Sequence, residues 1–490
     1  MSYQAVLCDL IEYAKTHHIL DEHRMEEQKE VLFSLFNEPV QECKVSSPKT
    51  YEQIMHVLLK RAYELNLYPI DTIDEMDAFE AKIIDILMPT PTDVKATFKN
   101  LYDQSPKKAT DYLYRLSQDV NYIKVKRLKE NVSWTYRSRY GQIGLTINLA
   151  KPEKDPRDIA KAKDLDHSNS RMFVPKCVIC KENERNYYNA RMNLRMVPLV
   201  LGDEIWHFQY SPYQYYNEHA IILHDEHKPM KINEKTFTYL FDFVDQFNSY
   251  FIGSNADLPI VGGSILNHDH FQAGKYKFPI EDAKVLYSFE KDECEVQLLK
   301  WPLSTIRIRS ANRYKIEKLG RYYHRKWLTY ENQDLDIIPK TEHIYHQTIT
   351  PIVRKKKNIY ELDLILRNNR TNETYPDGIF HPHHDVWHIK KENIGLIEAM
   401  GLAILPGRLK NELQEIKECI NFKNEPTQSL EKHIHWLDML KKKYLHITEE
   451  DLLIEVGKIF ERVLEDAGVF KQNRLGINAL KEFMNQIKKR

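Results

Sequence analysis

Residues 133–151 read SWTYRSRYGQIGLTINLAK. β-branched and aromatic residues dominate the stretch and Tyr140–Gly141 interrupts it, a hairpin pattern. The chain on its N-terminal side reads differently. There Val6, Leu7, Leu10 and Ile11 recur at helical spacing, as do Ile54, Leu58 and Ala62, with Pro89, Pro91 and Pro106 as punctuation. On the C-terminal side strand-like runs continue to about residue 390: IWHFQY, AIILH, VLYSF, EVQLLKW, STIRIR and NIYELDLILRNN. One run among them, KTFTYLFDFVDQFNSYF, has helical spacing. From about residue 392 onward the spacing is helical again, and Thr448-x-x-Asp451 marks a helix start. The reading is an α+β protein with helical N-terminal and C-terminal regions around a strand-rich middle.

Composition narrows the function. Among 490 residues, Lys plus Arg number 71 and Asp plus Glu number 71. Zero net charge argues against broad nucleic-acid binding, which needs a basic excess. The first residues lack a basic segment followed by an apolar one, and no apolar run approaches the ~18 residues of a membrane span. A soluble cytoplasmic protein, with no membrane partner, is expected. Cys8, Cys43, Cys294 and Cys419 are isolated and are expected to be reduced and packed. With only 15 glycines, the chain has no GxGxxG and no GxSxG. AGKY at 273–276 has Tyr276 in place of the Ser or Thr of a phosphate loop and lacks its upstream glycine. A Rossmann dehydrogenase, a P-loop kinase and an α/β-hydrolase are therefore poor readings.

Three motifs carry chemistry. The first is VGGSILNHDHFQ at 261–272. His268, His270 and Gln272 alternate, so an extended strand puts all three on one face. Gly262 and Gly263 let backbone approach a ligand closely. With Ser264 they could offer N–H groups to a phosphate, and Asn267 either shapes the same pocket or serves the turn. The second is the Cys177-x-x-Cys180 knuckle, which needs two further ligands for a closed tetrahedral site. His227 and His268 would complete a Cys2His2 zinc set, with His224 as the local competitor of His227. The third is FHPHHDVWHIKK from Phe380, dense in histidine. Its Lys390 and Lys391 are candidate phosphate ligands as point charges.

NHDHFQ, CVIC, HDEHKPM and HIKKENIGLIEAMGLAILPGRL together resemble the second, bacterial Firmicutes-type class of galactose-1-phosphate uridylyltransferases, relatives of the histidine-triad superfamily. The resemblance runs over essentially the whole chain. It implies two related histidine-triad-like α+β halves with mainly antiparallel sheet, at 129–285 and 286–410, between helical regions at 1–128 and 411–490. It implies that UDP-glucose and galactose 1-phosphate become glucose 1-phosphate and UDP-galactose, by ping-pong transfer through a uridylyl-histidine. The nucleophile corresponds to His270, and the glutamine that orients the phosphoryl group to Gln272. Cys177, Cys180, His227 and His268 match the zinc ligands. Asp269 stands where the better-known class has proline. Lys151 and Lys154 answer to two basic residues near the nucleotide-sugar phosphates. His381–His384 answers to a second metal site, although the residues around it differ. Homodimers are usual among these transferases. The same histidine chemistry also serves nucleotidyl hydrolases and phosphorylases, which pass the adduct to water or phosphate, and a zinc-stabilised binding module would use none of it.

Overall fold

The computed structural model describes residues 2–486 except 21, 44–48, 69–71, 150–174 and 188–189. A ten-stranded sheet forms its centre. The strands are β3 (Val197–Leu201), β4 (Glu204–Tyr210), β5 (Ala220–His224), β6 (Phe251–Gly253), β7 (His270–Gly274), β8 (Val285–Lys291), β9 (Cys294–Leu299), β10 (Thr305–Ser310), β13 (Gln347–Lys356) and β14 (Ile359–Asn368). Their spatial order is β3-β4-β5-β7-β6-β13-β14-β10-β9-β8, and every pair is antiparallel. The order is a palindrome. Each half runs hairpin, third strand, helix, then two further strands, and the last two swap places in the sheet. The halves meet where Ile252 of β6 lies opposite Val353 of β13.

Alternation gives the sheet two faces. Phe208, Ile222, Ile252, Phe271, Val296, Ile308, Val353 and Leu362 point to one core, shared with the helices Glu234–Gln246 and Arg313–Trp327. The N-terminal helices join the same core through Leu10, Phe33, Leu58 and Leu113. Phe251, Leu299, Ile352 and Ile365 point the other way, into a second core. A three-stranded sheet lines that core: β1 (Val132–Ser138) and β2 (Gly141–Asn148) form the hairpin, and β15 (Leu402–Pro406) lies parallel to β2. A small ribbon, β11 (Lys340–Thr341) with β12 (Ile344–Tyr345), lies apart.

Local signals account for most boundaries. The Thr448–Asp451 capping box opens the helix Glu449–Asp466. Thr90 caps the helix Pro91–Gln104, with Asp93 in the third position. The hairpin turns through Arg139–Tyr140, between paired Ser138 and Gly141, and Gly141 takes φ +127°.

Three differences from the sequence reading have physical causes. AILP at 403–406 is strand rather than helix, because β2 supplies ladder partners from far away in sequence. The helical run from Lys235 stops at Gln246, and Phe251 joins the sheet as β6. Cys8 and Cys43 are bonded rather than free, since the helix Tyr3–Thr16 brings its Cys8 to 5.1 Å, Cα to Cα, from Cys43. Cys294 and Cys419 are free and buried.

Candidate active site and metal cluster

β7 begins at His270, so His268 stands in the bend before the strand rather than on it. The bend turns the two imidazoles to different tasks. The His268 Nε2–H donates to the carbonyl of His224 at 2.9 Å, leaving Nδ1 toward the cysteines. His270 donates from Nδ1 to the carbonyl of His268 at 2.8 Å. No described hydrogen bond uses its Nε2. His270 is 4% exposed, and burial pushes its pKa down to about 4. It is therefore a neutral imidazole at pH 7, oriented by one nitrogen and open at the other.

The next residue on that face is Gln272. Its Oε1 accepts from the Nε2–H of buried His219 at 3.1 Å, which leaves the amide N–H groups for another partner. Burial holds His219 down at about 3, so it too is neutral, and its Nδ1 is buried without a partner. The Oε1 of Gln209 is likewise buried and unpartnered. Gln209 and Gln272 both lie opposite Ile221, one on each side of β5. The sequence reading passed over His219 and Gln209. The β5–β7 pairing brings His219 to Gln272, the β4–β5 and β5–β7 registers together set Gln209 across Ile221 from it, and no local signal marks either residue.

The loop joining β6 to β7 is tightly constrained. Gly262 takes φ +104°, and a Cβ there would come within 2.4 Å of the Ile394 carbonyl oxygen. Ile260 and Ile265 take φ +74° and +53°, a region that β-branched residues rarely enter. Such strain costs about 1–3 kcal/mol per residue and clusters at functional loops. A Cβ on Gly263 would strike Leu266, whereas Ser264 and Asn267 are exposed on the loop.

Cys177, Cys180, His227 and His268 converge, with their ligand atoms all within 4.8 Å of one another. Cys177 Sγ lies 3.3 Å from Cys180 Sγ and 3.3 Å from His268 Nδ1, and Cys180 Sγ lies 3.1 Å from His227 Nδ1. Ligand atoms of a tetrahedral zinc site stand roughly 3.3–3.8 Å apart, so the set fits a metal ion. Asn183 fixes the knuckle by donating to the carbonyls of Cys177 and Cys180 at 2.8 and 2.9 Å. Burial and the neighbouring Cys177 thiol push Cys180 up to about 12, a penalty that a bound cation removes by taking thiolates. This is the one such Cys/His/Asp/Glu group among the described residues.

The other expected ligands sit elsewhere. Lys390 is buried, its ammonium held by Glu398 and the Ile404 carbonyl, each at 3.1 Å. Lys391 lies over the Trp387 ring and lines a cavity of about 1060 Å³ beside the C-terminal helices, whose lining excludes His270 and Gln272. His381 donates to the Ile260 carbonyl, His383 stacks on Tyr375, and His384 lies against Trp387, so these imidazoles do not converge on one point. Lys151 and Lys154 lie outside the described residues.

A neutral strand imidazole with one free nitrogen, beside a free amide, can accept a transferred group and pass it on. Fold and site thus combine an antiparallel α+β sheet with a neutral imidazole and an amide of the kind suited to group transfer. Comparison with known proteins makes the class specific. Residues 18–229 match the family described as galactose-1-phosphate uridyl transferase, N-terminal domain, and residues 213–438 match its C-terminal domain. The galactose-1-phosphate uridylyltransferase of Clostridium acetobutylicum is 49% identical over 452 residues, covering 89% of this chain and 90% of that one. The one from Clostridium perfringens strain 13 is 43% identical over 499 residues, 99% of each chain. The chain belongs to the galactose-1-phosphate uridyl transferase family. Among solved structures, yeast Ap4A phosphorylase Apa2 aligns over 71% of this chain and 95% of its own, at 10% identity and a TM-score of 0.36. Among the described residues no helix is long and apolar enough to cross a membrane.

Proposed function

We infer that the protein exchanges uridylyl groups between UDP-glucose and galactose 1-phosphate, with His270 as the covalent carrier. The observation that carries this reading is the His270 ring, with Nδ1 bound to the His268 carbonyl and Nε2 open. In the first step Nε2 attacks the uridylyl phosphorus of UDP-glucose. A P–N bond forms, the phosphoanhydride P–O bond breaks, and glucose 1-phosphate leaves with its electron pair. In the second step a phosphate oxygen of galactose 1-phosphate attacks the same phosphorus. The P–N bond breaks, UDP-galactose leaves and His270 is regenerated. Such transfers need positioning and charge neutralisation more than bonds supplied by the protein. The Gln272 amide, freed by His219, supports the first need by donating to a phosphoryl oxygen.

Cys177, Cys180, His227 and His268 would hold zinc as a closed site, which fastens the bend ahead of His270 and leaves no open position for substrate. About one equivalent of zinc in the purified protein, and a fall in melting temperature on chelation, is the expected result. A cytoplasmic homodimer is part of the same reading, and light scattering at twice the 58.3 kDa chain mass is its check.

The test of the transfer reading is incubation with UDP-glucose alone. It should release one equivalent of glucose 1-phosphate and leave uridylate on the peptide containing His270. Steady UMP release without an acceptor sugar phosphate would instead make the protein a hydrolase.

A further inference from the structure

Arg367, near the end of β14, is 1% exposed. One guanidinium nitrogen, Nη2, donates to the Ile394 carbonyl at 2.7 Å, while Nε and Nη1 are buried without partners. No carboxylate stands within ion-pairing distance of it among the described residues, and Glu398 acts on it only through longer-range attraction. The neighbouring arginines of the same sheet face are handled differently. Arg307 grips Asp363 through Nε and Nη2, and Arg354 reaches both Asp363 and Glu361. Burial pulls the Arg367 pKa down to about 10, which leaves it a cation at pH 7. An uncompensated buried charge costs several kcal/mol, and folding alone gives no return on it.

Its position suggests the return. The Ile394 carbonyl that Arg367 holds is the atom that packs on Gly262 of the β6–β7 loop. Two residues on, the Leu396 N–H donates to Asn255 Oδ1 at 2.8 Å, and the Leu396 side chain closes over Gly253. Gly253 is the β6 partner of Gln272. The segment 394–396 is thus a strap laid across the candidate phosphate loop and the neighbour of Gln272, and Arg367 pins it from beneath. Uncompensated positive charge in a low-dielectric interior acts on anions beyond contact distance.

We propose that Arg367 is a positioning residue for the transfer reaction, holding the 394–396 strap and lending its unpaired positive charge to the phosphates of a nucleotide sugar at His270. This rests on the transfer reading above. The test compares full-length Arg367→Met and Arg367→Lys with wild type, by single-turnover release of glucose 1-phosphate from UDP-glucose and by melting temperature. Methionine removes the charge at similar length. Arg367→Met should react on the order of 10²-fold more slowly, while melting at the same or a higher temperature. Arg367→Lys should recover part of the rate. Wild-type reactivity in Arg367→Met overturns the proposal. So does a joint loss of rate and melting temperature, which makes Arg367 a structural clamp only. A wild-type protein that forms no uridylyl adduct overturns the transfer reading itself, so the two failures are distinguishable.

Discussion

The two halves of the central sheet share one strand order and use the same face in opposite ways. In the first half that face carries Gln209, His270 and Gln272, with His219 near Gln272: neutral groups, all buried but the partly exposed Gln272, with hydrogen-bonding capacity left open. In the second half it carries Arg307, Arg354, Glu361 and Asp363, charged and tied to one another. Burial alone would raise the Asp363 carboxyl, but Arg307 and Arg354 outweigh it and hold it at about 2. A saturated ionic network has nothing left for a ligand, whereas an imidazole with one free nitrogen has a lone pair to give. The palindromic sheet therefore has one half whose polar groups keep open hydrogen-bonding capacity and one half largely tied into ion pairs, with Arg367 of β14 as its exception.

The largest expected effect falls on the reactive half. His270→Ala should lower transfer by on the order of 10³-fold or more and leave melting nearly unchanged, as measured by coupled assay and calorimetry. A variant that retained wild-type exchange would erase the distinction between the halves. The mirror experiment is Asp363→Ala, which takes from buried Arg307 its carboxylate partner and from Arg354 one of its partners. It should destabilise the fold by about 3–5 kcal/mol in denaturant titration, while the folded fraction keeps its kcat/KM. A specific loss of kcat/KM would bring the second half into the chemistry. Gln272→Ala should cost on the order of 10²-fold in kcat with little change in stability; an equal loss in KM alone would reduce the amide to ground-state binding.

The smallest effect is a pH dependence of stability. His219 is held by burial at about 3 in the folded protein, against ~6.5 when unfolded. Between those values the unfolded chain binds a proton that the folded chain refuses. Its contribution is whole above pH ~6.5 and is lost as the pH falls toward about 3. Asp363, with its folded value also depressed, keeps its contribution whole above ~3.9 and loses it only toward about 2. Melting temperature should therefore begin to fall near pH 6, and His219→Gln should flatten the part of that slope due to His219. An unchanged slope would mean that His219 has the same protonation in the folded and unfolded chains across that range.

The resemblance implied two related halves, but their mirrored strand order was invisible before folding. VLYSF, EVQLLKW and STIRIR announce strands, yet nothing in them says that β8, β9 and β10 mirror β3, β4 and β5. The strap at 394–396 illustrates the same limit from the other side. GLIEAMG reads as helix, and only four of its residues, Leu396–Ala399, form one. Its neighbour Ile394 gains meaning from Gly262, 132 positions earlier, and from Arg367 beneath.

By itself the sequence determined the chemistry available: a His-x-His-x-Gln row, a Cys-x-x-Cys knuckle, no phosphate loop, and helical ends around a strand-rich middle. These are local facts, fixed by spacing along a strand or a turn. Tertiary structure alone decided which groups work together. It sent His268 to the cysteines and left His270 Nε2 without a described hydrogen bond, set His219 on Gln272, took Lys390 into a buried ion pair, and left Arg367 charged with no carboxylate partner. Those outcomes depend on register between strands far apart in the chain and on desolvation, and both exist only once the sheet has closed.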